Sequence, residues 1–276
     1  MLKAPLKPQL KQLFIGVALL AVSLASNAQD NTENIHDVWH TLVSENVLAI
    51  KHGHSTEVDY AAMQAQRGRL KTYLDALTSV TQNEFDTWEK PKQLAFLINA
   101  YNAWTVELIL TKYPHLKSIK DLGHFLNSPW SKAFIPLLGK TRSLDDIEHD
   151  LIRGSGKYND PRIHFAVNCA SIGCPALRAE AYTAADLDAQ LQAQTIRFLS
   201  DNTRNKVQGN TLSISSIFKW YGDDFALGFR GSNSVGEFIL QYPDALKLLP
   251  AQQTALKNET MRIKFLDYNW DLNARH

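Results

Sequence analysis

Leu94-Ala-Phe-Leu-Ile-Asn-Ala-Tyr-Asn-Ala-Trp-Thr-Val-Glu-Leu-Ile-Leu110 is apolar on nearly every side, with Pro91 just before it and Tyr113-Pro114 just after. Proline is tolerated in a first helical turn, where its missing N–H has no intrahelical partner to lose, and a later proline stops the helix. A helix without a polar face must be covered all round, so this one is expected at the centre of the fold. Phe96 and Trp104 are expected to be buried, packed against a strand running from Arg162 to Asn168. Asn99 and Asn102 are three apart and share a face. Buried amides need partners, so the two either bond the backbone of adjoining loops or line a substrate pocket. Glu107, near the helix end, is expected to face solvent.

Working outward, residues 32–50 and 60–77 carry apolar residues at helical spacing. Thr81 with Glu84, Ser143 with Asp146, Thr183 with Asp186 and Ser234 with Glu237 each have the spacing of a helix N-terminus. Gly154 can close the two-turn helix that Ser143 opens. From Arg162 to Cys169, Ile163, Phe165 and Val167 alternate with His164, Ala166 and Asn168, the period of a strand. Lys206 to Ser215 reads as a hairpin across Gly209-Asn210, and Arg262 to Tyr268 as a closing strand. Trp220 and Phe225 are expected in the core, with Asp223 and Asp224 at a helix end or turn. The fold class is α+β: a mostly helical single domain, with a central apolar helix packed on a small, mainly antiparallel sheet.

The 276 residues are 45% hydrophobic and 21% charged, a globular composition. Lys3, Lys7 and Lys11 precede an apolar run from Leu13 to Ala25, and Ser26-Asn27-Ala28 supplies small residues, as in a secretory signal peptide. The run is too short to span a bilayer. Residues 1–28 are therefore expected to be cleaved, leaving residues 29–276 as a single periplasmic or secreted domain with no stable membrane span. Loss of three lysines leaves 26 basic against 28 acidic side chains, a formal charge of −2. With no cluster of Lys and Arg, nucleic acid is excluded as a partner.

The segment richest in chemistry is Asp160-Pro-Arg-Ile-His-Phe-Ala-Val-Asn-Cys-Ala-Ser-Ile-Gly-Cys-Pro175. Breaking from a strand into a Ser/Gly/Pro loop would display a thiol beside backbone amides. A reactive thiol needs a lowered pKa, and His164, His149 and Arg162 are the nearby groups able to supply it. On a strand His164 and Asn168 share a face and Cys169 lies on the other. Three readings of the cysteines stay open: a disulfide between Cys169 and Cys174, a catalytic thiol, or two inert buried thiols. Glu148 and His149 could serve as acid, base or orienter, although consecutive residues of an α-helix point about 100° apart and should not both face one substrate atom.

Gly139-Lys140-Thr141 resembles the end of a phosphate loop, but Phe134 stands where the required glycine would be. His36 and His40, with His52 and His54 beyond, lack an acid or thiol to complete a ligand set, so no metal site and no cofactor are expected.

Ala95-Phe-Leu-Ile-Asn-Ala-Tyr-Asn-Ala103, Leu144-Asp-Asp-Ile-Glu-His149 and the cysteine segment resemble the signatures of the family called domain of unknown function 547. Ser215-Ser-Ile-Phe-Lys-Trp-Tyr221 with Asp224-Phe225, and Phe265-Leu-Asp-Tyr-Asn-Trp-Asp-Leu-Asn273, are similar to its later blocks. The likeness runs from about Val58 to Asn273; Leu97 stands where Trp is usual, and Ile172-Gly173 where Lys-Ser is common. The resemblance implies a fold but no established reaction. It also implies relatives, plant ones among them, that keep both cysteines in reducing cytoplasm, which favours a thiol with a role. The leading expectation is a cysteine-dependent hydrolase or acyl transferase acting on amide or thioester bonds. In it Cys169 is the nucleophile, His164 or His149 the base and Glu148 an orienter, while Asn99, Asn102, Arg162, Asn168 and Ser171 bind a small molecule or peptide. The alternative is a noncatalytic periplasmic small-ligand binding domain closed by a Cys169–Cys174 disulfide loop.

Overall fold

The all-round apolar helix spans Lys90–Leu110, with Pro91 in its first turn, and every residue from Gln93 to Leu110 except Glu107 is buried. The computed structural model describes Met1, residues 31–123 and residues 128–275. Beyond Met1, the expected signal peptide lies outside the described residues.

In chain order the elements before and including this helix are α1 (Asn31–Asn46), β1 (Val47–Ile50), β2 (Ser55–Val58), α2 (Tyr60–Ala65), α3 (Arg67–Ser79), α4 (Gln82–Asp86) and α5 (Lys90–Leu110). Two expectations need correction here. The helix expected to reach Ile50 stops at Asn46, because Val47–Ile50 pairs antiparallel with Ser55–Val58. The helix expected over 60–77 is two helices that break at Gln66. Thr81 caps α4 by accepting from Glu84 N, as its spacing predicts. Glu107 does not simply face solvent: its carboxylate is held by Arg67 on α3 at 2.6 Å.

Beyond α5 come β3 (Ile135–Leu137) and β4 (Lys140–Arg142), an antiparallel hairpin with Gly139 in its turn and Lys140-Thr141 in its second strand. A π-helix (Asp146–Arg153) and a 3₁₀ turn (Pro161–Phe165) follow. Then come α6 (Leu187–Leu199), β5 (Lys206–Gln208), β6 (Thr211–Ser215), α7 (Ile217–Trp220), α8 (Gly222–Phe225), α9 (Val235–Leu240), α10 (Pro250–Lys257) and β7 (Arg262–Leu266). Gly209, at φ 56°, turns the β5–β6 hairpin. Strand β6 pairs antiparallel with β5 and parallel with β7. The class is therefore α+β, with small sheets that are mainly antiparallel.

The strand expected over Arg162–Cys169 is absent. Asp160 accepts from Arg162 N and Pro161 opens a 3₁₀ turn, while every residue from Pro161 to Asn168 is buried. Alternation carries no information when both faces are covered, and a proline preceded by a capping aspartate favours a helical turn. The central helix accordingly packs on α3, α2 and the π-helix, and meets the 160s segment through Asn102 rather than through a sheet.

Residues 32–276 form one compact unit with two apolar cores. The larger gathers the helices around α5; the smaller is an aromatic cluster of Phe165, Phe198, Phe218, Phe225 and Phe238. Burying side chains of this size contributes about 2 to 3 kcal/mol each. Trp220, expected in the core, is 46% exposed. The chain end closes the fold: Asn273 N donates to Ala170 O, Val58 N to Asn273 O, and the Tyr60 hydroxyl to Asn273 Oδ1. Among the described residues no helix is long and apolar enough to cross a membrane.

Candidate functional site around the Cys169–Cys174 loop

Cys169 and Cys174 are joined in a disulfide, with Cα atoms 6.1 Å apart. The loop reverses sharply at Ala170, whose φ is 61° and whose N–H donates to Asn168 Oδ1. Asn168 Nδ2 reaches across the loop base to Pro175 O at 2.7 Å. Gly173 N donates to Asn269 O and Ile172 N to Asp271 O, so the returning chain end clamps the loop from outside. The Tyr268 hydroxyl lies 3.2 Å from each sulfur, and Ser171 Oγ is 3.0 Å from Cys169 Sγ. Cys169 N donates to Cys174 Sγ. Cys174 is buried, whereas Cys169 is partly open.

The two sulfurs line a cavity of about 230 Å³ together with Glu148, His149 and His164. Glu148 and His149, consecutive in sequence, both line this cavity. Their helix is of the π type, capped reciprocally where Asp146 N donates to Ser143 Oγ and Ser143 N to Asp146 Oδ2. Its wider turn changes which residues share a face, and such turns recur at functional sites.

Arg153 and Asp224 link the two histidines. Arg153 donates bidentately to Asp224 and through Nη1 to His149 Nδ1 at 2.7 Å. A guanidinium only donates, so His149 Nδ1 must be the unprotonated nitrogen, with the proton on Nε2, 3.7 Å from Asp145. His164 Nε2 lies 2.7 Å from Asp224 Oδ2, and its ring stacks on Tyr221 at 4.0 Å. With a carboxylate as partner, Nε2 carries the proton, leaving Nδ1, which is buried and without a hydrogen bond. Burial alone would raise the Asp224 pKa; hydrogen bonds from His164 and Arg153 outweigh it and hold the carboxyl well below the usual range. Burial first, then the charge of the Glu148 carboxylate, pushes the Tyr101 and Tyr221 hydroxyls up.

The remaining wall is aromatic: Trp130, Trp220, Tyr268 and Trp270. Trp220 stacks on Trp270 at 5.7 Å, and Tyr268 lies 4.5 Å from Trp270.

The asparagines and Arg162 lie elsewhere. Asn99 bonds both the N–H and C=O of Tyr182. Asn102 donates to Ala166 O at 3.0 Å and accepts from Asn168 N at 2.8 Å, which ties α5 to the base of the cysteine loop. Arg162 is buried between Asp160 and Asp188. Asp224, Tyr221, Tyr268 and Trp270 complete the site, yet the sequence did not single them out as site residues. A polar or aromatic residue recurring beside each apolar block was the available signal, but Asp224 reads equally as a turn.

Fold and cavity together define an α+β protein whose pocket holds a disulfide, two imidazoles and two carboxyl groups, that of Glu148 buried. Residues 85–199 match the model of the family described as "Protein of unknown function, DUF547". No curated protein and no solved structure matches the chain. The matched segment holds α5, the π-helix and the cysteine loop, whereas Tyr221, Asp224, Tyr268 and Trp270 follow it.

Proposed function

We propose that the cavity is the active centre of a secreted or periplasmic cysteine-dependent hydrolase or acyl transferase acting on amide or thioester bonds, and that its working form is the reduced protein. The observation carrying this reading is that Cys169, the more open of the two cysteines, shares a cavity with an imidazole fixed by a carboxylate at one nitrogen and unpartnered at the other. A dithiol supplies two electrons and two protons to the disulfide and is itself oxidised. Cys169 then passes its proton to His164 Nδ1, and the thiolate attacks the carbonyl carbon. The tetrahedral oxyanion meets donors that now face sulfur: the Cys169 N–H and the Tyr268 and Ser171 hydroxyls. Collapse expels the amine or thiol, which takes the proton from His164. Water or a second nucleophile then releases the acyl group from Cys169.

In this reading His164 rather than His149 is the base, because an arginine faces His149 Nδ1, and Asp224 rather than Glu148 is the orienter. Asn99, Asn102 and Asn168 position backbone. Iodoacetamide labelling tests the reading. The oxidised protein should not label. After dithiol treatment Cys169 should label at neutral pH, and His164→Gln should slow it about tenfold or more. Labelling no faster than a free cysteine, and indifferent to His164, would overturn the proposal.

The disulfide itself favours a second reading, a noncatalytic small-ligand binding domain whose pocket the Cys169–Cys174 bond shapes. A Cys169→Ser/Cys174→Ser variant that binds the same ligand and turns over none supports that reading. Export in either case calls for cleavage after Ala28, which mass measurement of exported protein checks.

A further inference from the structure

We propose that this cavity recognises an organic ammonium group, held against the Trp130, Trp220 and Trp270 rings with Asp145 and Glu148 as counter-charges. In the catalytic reading above, on which the word substrate rests, the ammonium lies on the substrate beside the bond attacked by Cys169.

Aromatic faces carry the negative part of a quadrupole, and a cation set among several of them is attracted without a formed ion pair. Three indoles and the Tyr221 and Tyr268 rings line the same cavity as the two carboxyl groups. The fold already uses this property here, since Lys120 Nζ sits 3.7 Å above the Trp270 ring and the Arg153 guanidinium 4.8 Å from the Tyr221 ring. Arg153 is committed to Asp224 and His149. Glu148 is buried and lines the cavity beside Tyr101 and Tyr221.

Asp145 is raised first by burial and, against the pull of His149, by the charges of Glu148, Asp146 and Asp150. Negative charge is therefore crowded on this wall, and a cation relieves it. An anionic ligand would meet the same carboxyl groups and be repelled. A neutral apolar ligand would desolvate them without compensation. Trp220 is nearly half exposed although it belongs to a stacked cluster. An ammonium with its surrounding methyl or methylene groups would cover that ring.

The test uses the oxidised full chain, which has no free thiol, with choline as probe and 3,3-dimethylbutan-1-ol as its neutral isostere. Calorimetry should show saturable choline binding about tenfold or more tighter than the isostere, with shifts of indole N–H resonances. Trp220→Ala should weaken choline about tenfold while leaving the thermal melt unchanged, because that ring is largely outside the core. Equal affinity for the isostere, tighter binding of glucose than of choline, or no saturable binding overturns the proposal. Because no thiol is involved, a failure of Cys169 to label leaves this result standing. Fast labelling without choline binding would sink the ammonium site alone.

Discussion

His164 Nε2 and Asp224 Oδ2, sixty residues apart in sequence, are 2.7 Å apart in the folded chain. The pair sets which imidazole nitrogen is free, and Arg153 holds the carboxylate in place through both of its oxygens. Replacement by an amide breaks this, because the amide NH₂ must face either an arginine donor or the imidazole N–H.

Asp224→Asn should therefore lower labelling of reduced Cys169 by no more than His164→Gln does, and any acyl-transfer rate by about 10² to 10⁴. Its effect on stability should depend on pH in a defined sense. The folded pKa of Asp224 is depressed, so its contribution is present above the unfolded value of about 3.9 and disappears as pH falls through and below that value. Urea midpoints of wild type and variant should differ at pH 7 and converge in acid.

His36 works in the same direction in a higher window. Burial, with the charge of Lys92 second, lowers its pKa from 6.5 to about 4, and it shares a hydrogen bond with the Tyr73 hydroxyl. It is neutral in the fold and protonates first when unfolded, so stability is lost as pH falls from 6.5 toward 4, by roughly 3 kcal/mol at most. A His36→Phe variant should lose less stability than wild type between pH 7 and pH 4.5, measured by urea denaturation.

Local signals were the legible part of this fold. Thr81, Ser143 and Ser234 cap the helices their spacing predicts, because a cap depends on residues three apart. The all-round apolar character of α5 placed it centrally for an equally direct reason. The 160s segment misled because its alternation was genuine but both of its faces are covered, and with the strand went the argument from residue parity that separated His164 from Cys169. Asp224 was illegible for a different reason: its role depends on Arg153 and His164, which lie 71 and 60 residues away in sequence. Trp220 was misread because an indole in an apolar-looking segment is usually buried, and here it lines a cavity mouth.

The disulfide should contribute modestly to stability. It closes a short loop, cysteines five apart, and chain-entropy reasoning gives about 2 kcal/mol for a loop this size. Dithiol treatment should lower the melting temperature by roughly 5 °C, and the Cys169→Ser/Cys174→Ser variant should match the reduced protein by calorimetry.

Asn102→Leu should destabilise by about 1 to 3 kcal/mol, by leaving Ala166 O and Asn168 N buried without their partner. Because Asn168 in turn holds Pro175 O and Ala170 N, the variant should also change the labelling rate of reduced Cys169. A variant that loses stability with labelling unaltered would show that the asparagine does not govern the loop.

Gly173 offers a way to loosen the loop from its other side. A Cβ at this position would lie 2.8 Å from a Tyr268 ring carbon and 2.9 Å from Asn269 O. The second of these atoms is backbone, fixed by the bond from Gly173 N, so the strain cannot be relieved by a side-chain rotation alone. Gly173→Ala should push the 268–271 segment outward at a cost of about 1 to 3 kcal/mol. Tyr268 would then withdraw its hydroxyl from the two sulfurs, while Asn168 continues to hold the loop base. The measurable consequence is separable from destabilisation: the disulfide should be reduced faster by a fixed concentration of dithiol under conditions where both proteins are fully folded. Unchanged reduction kinetics in a folded variant would show that the chain end does not shield the sulfurs, and that access to them is set from within the cavity.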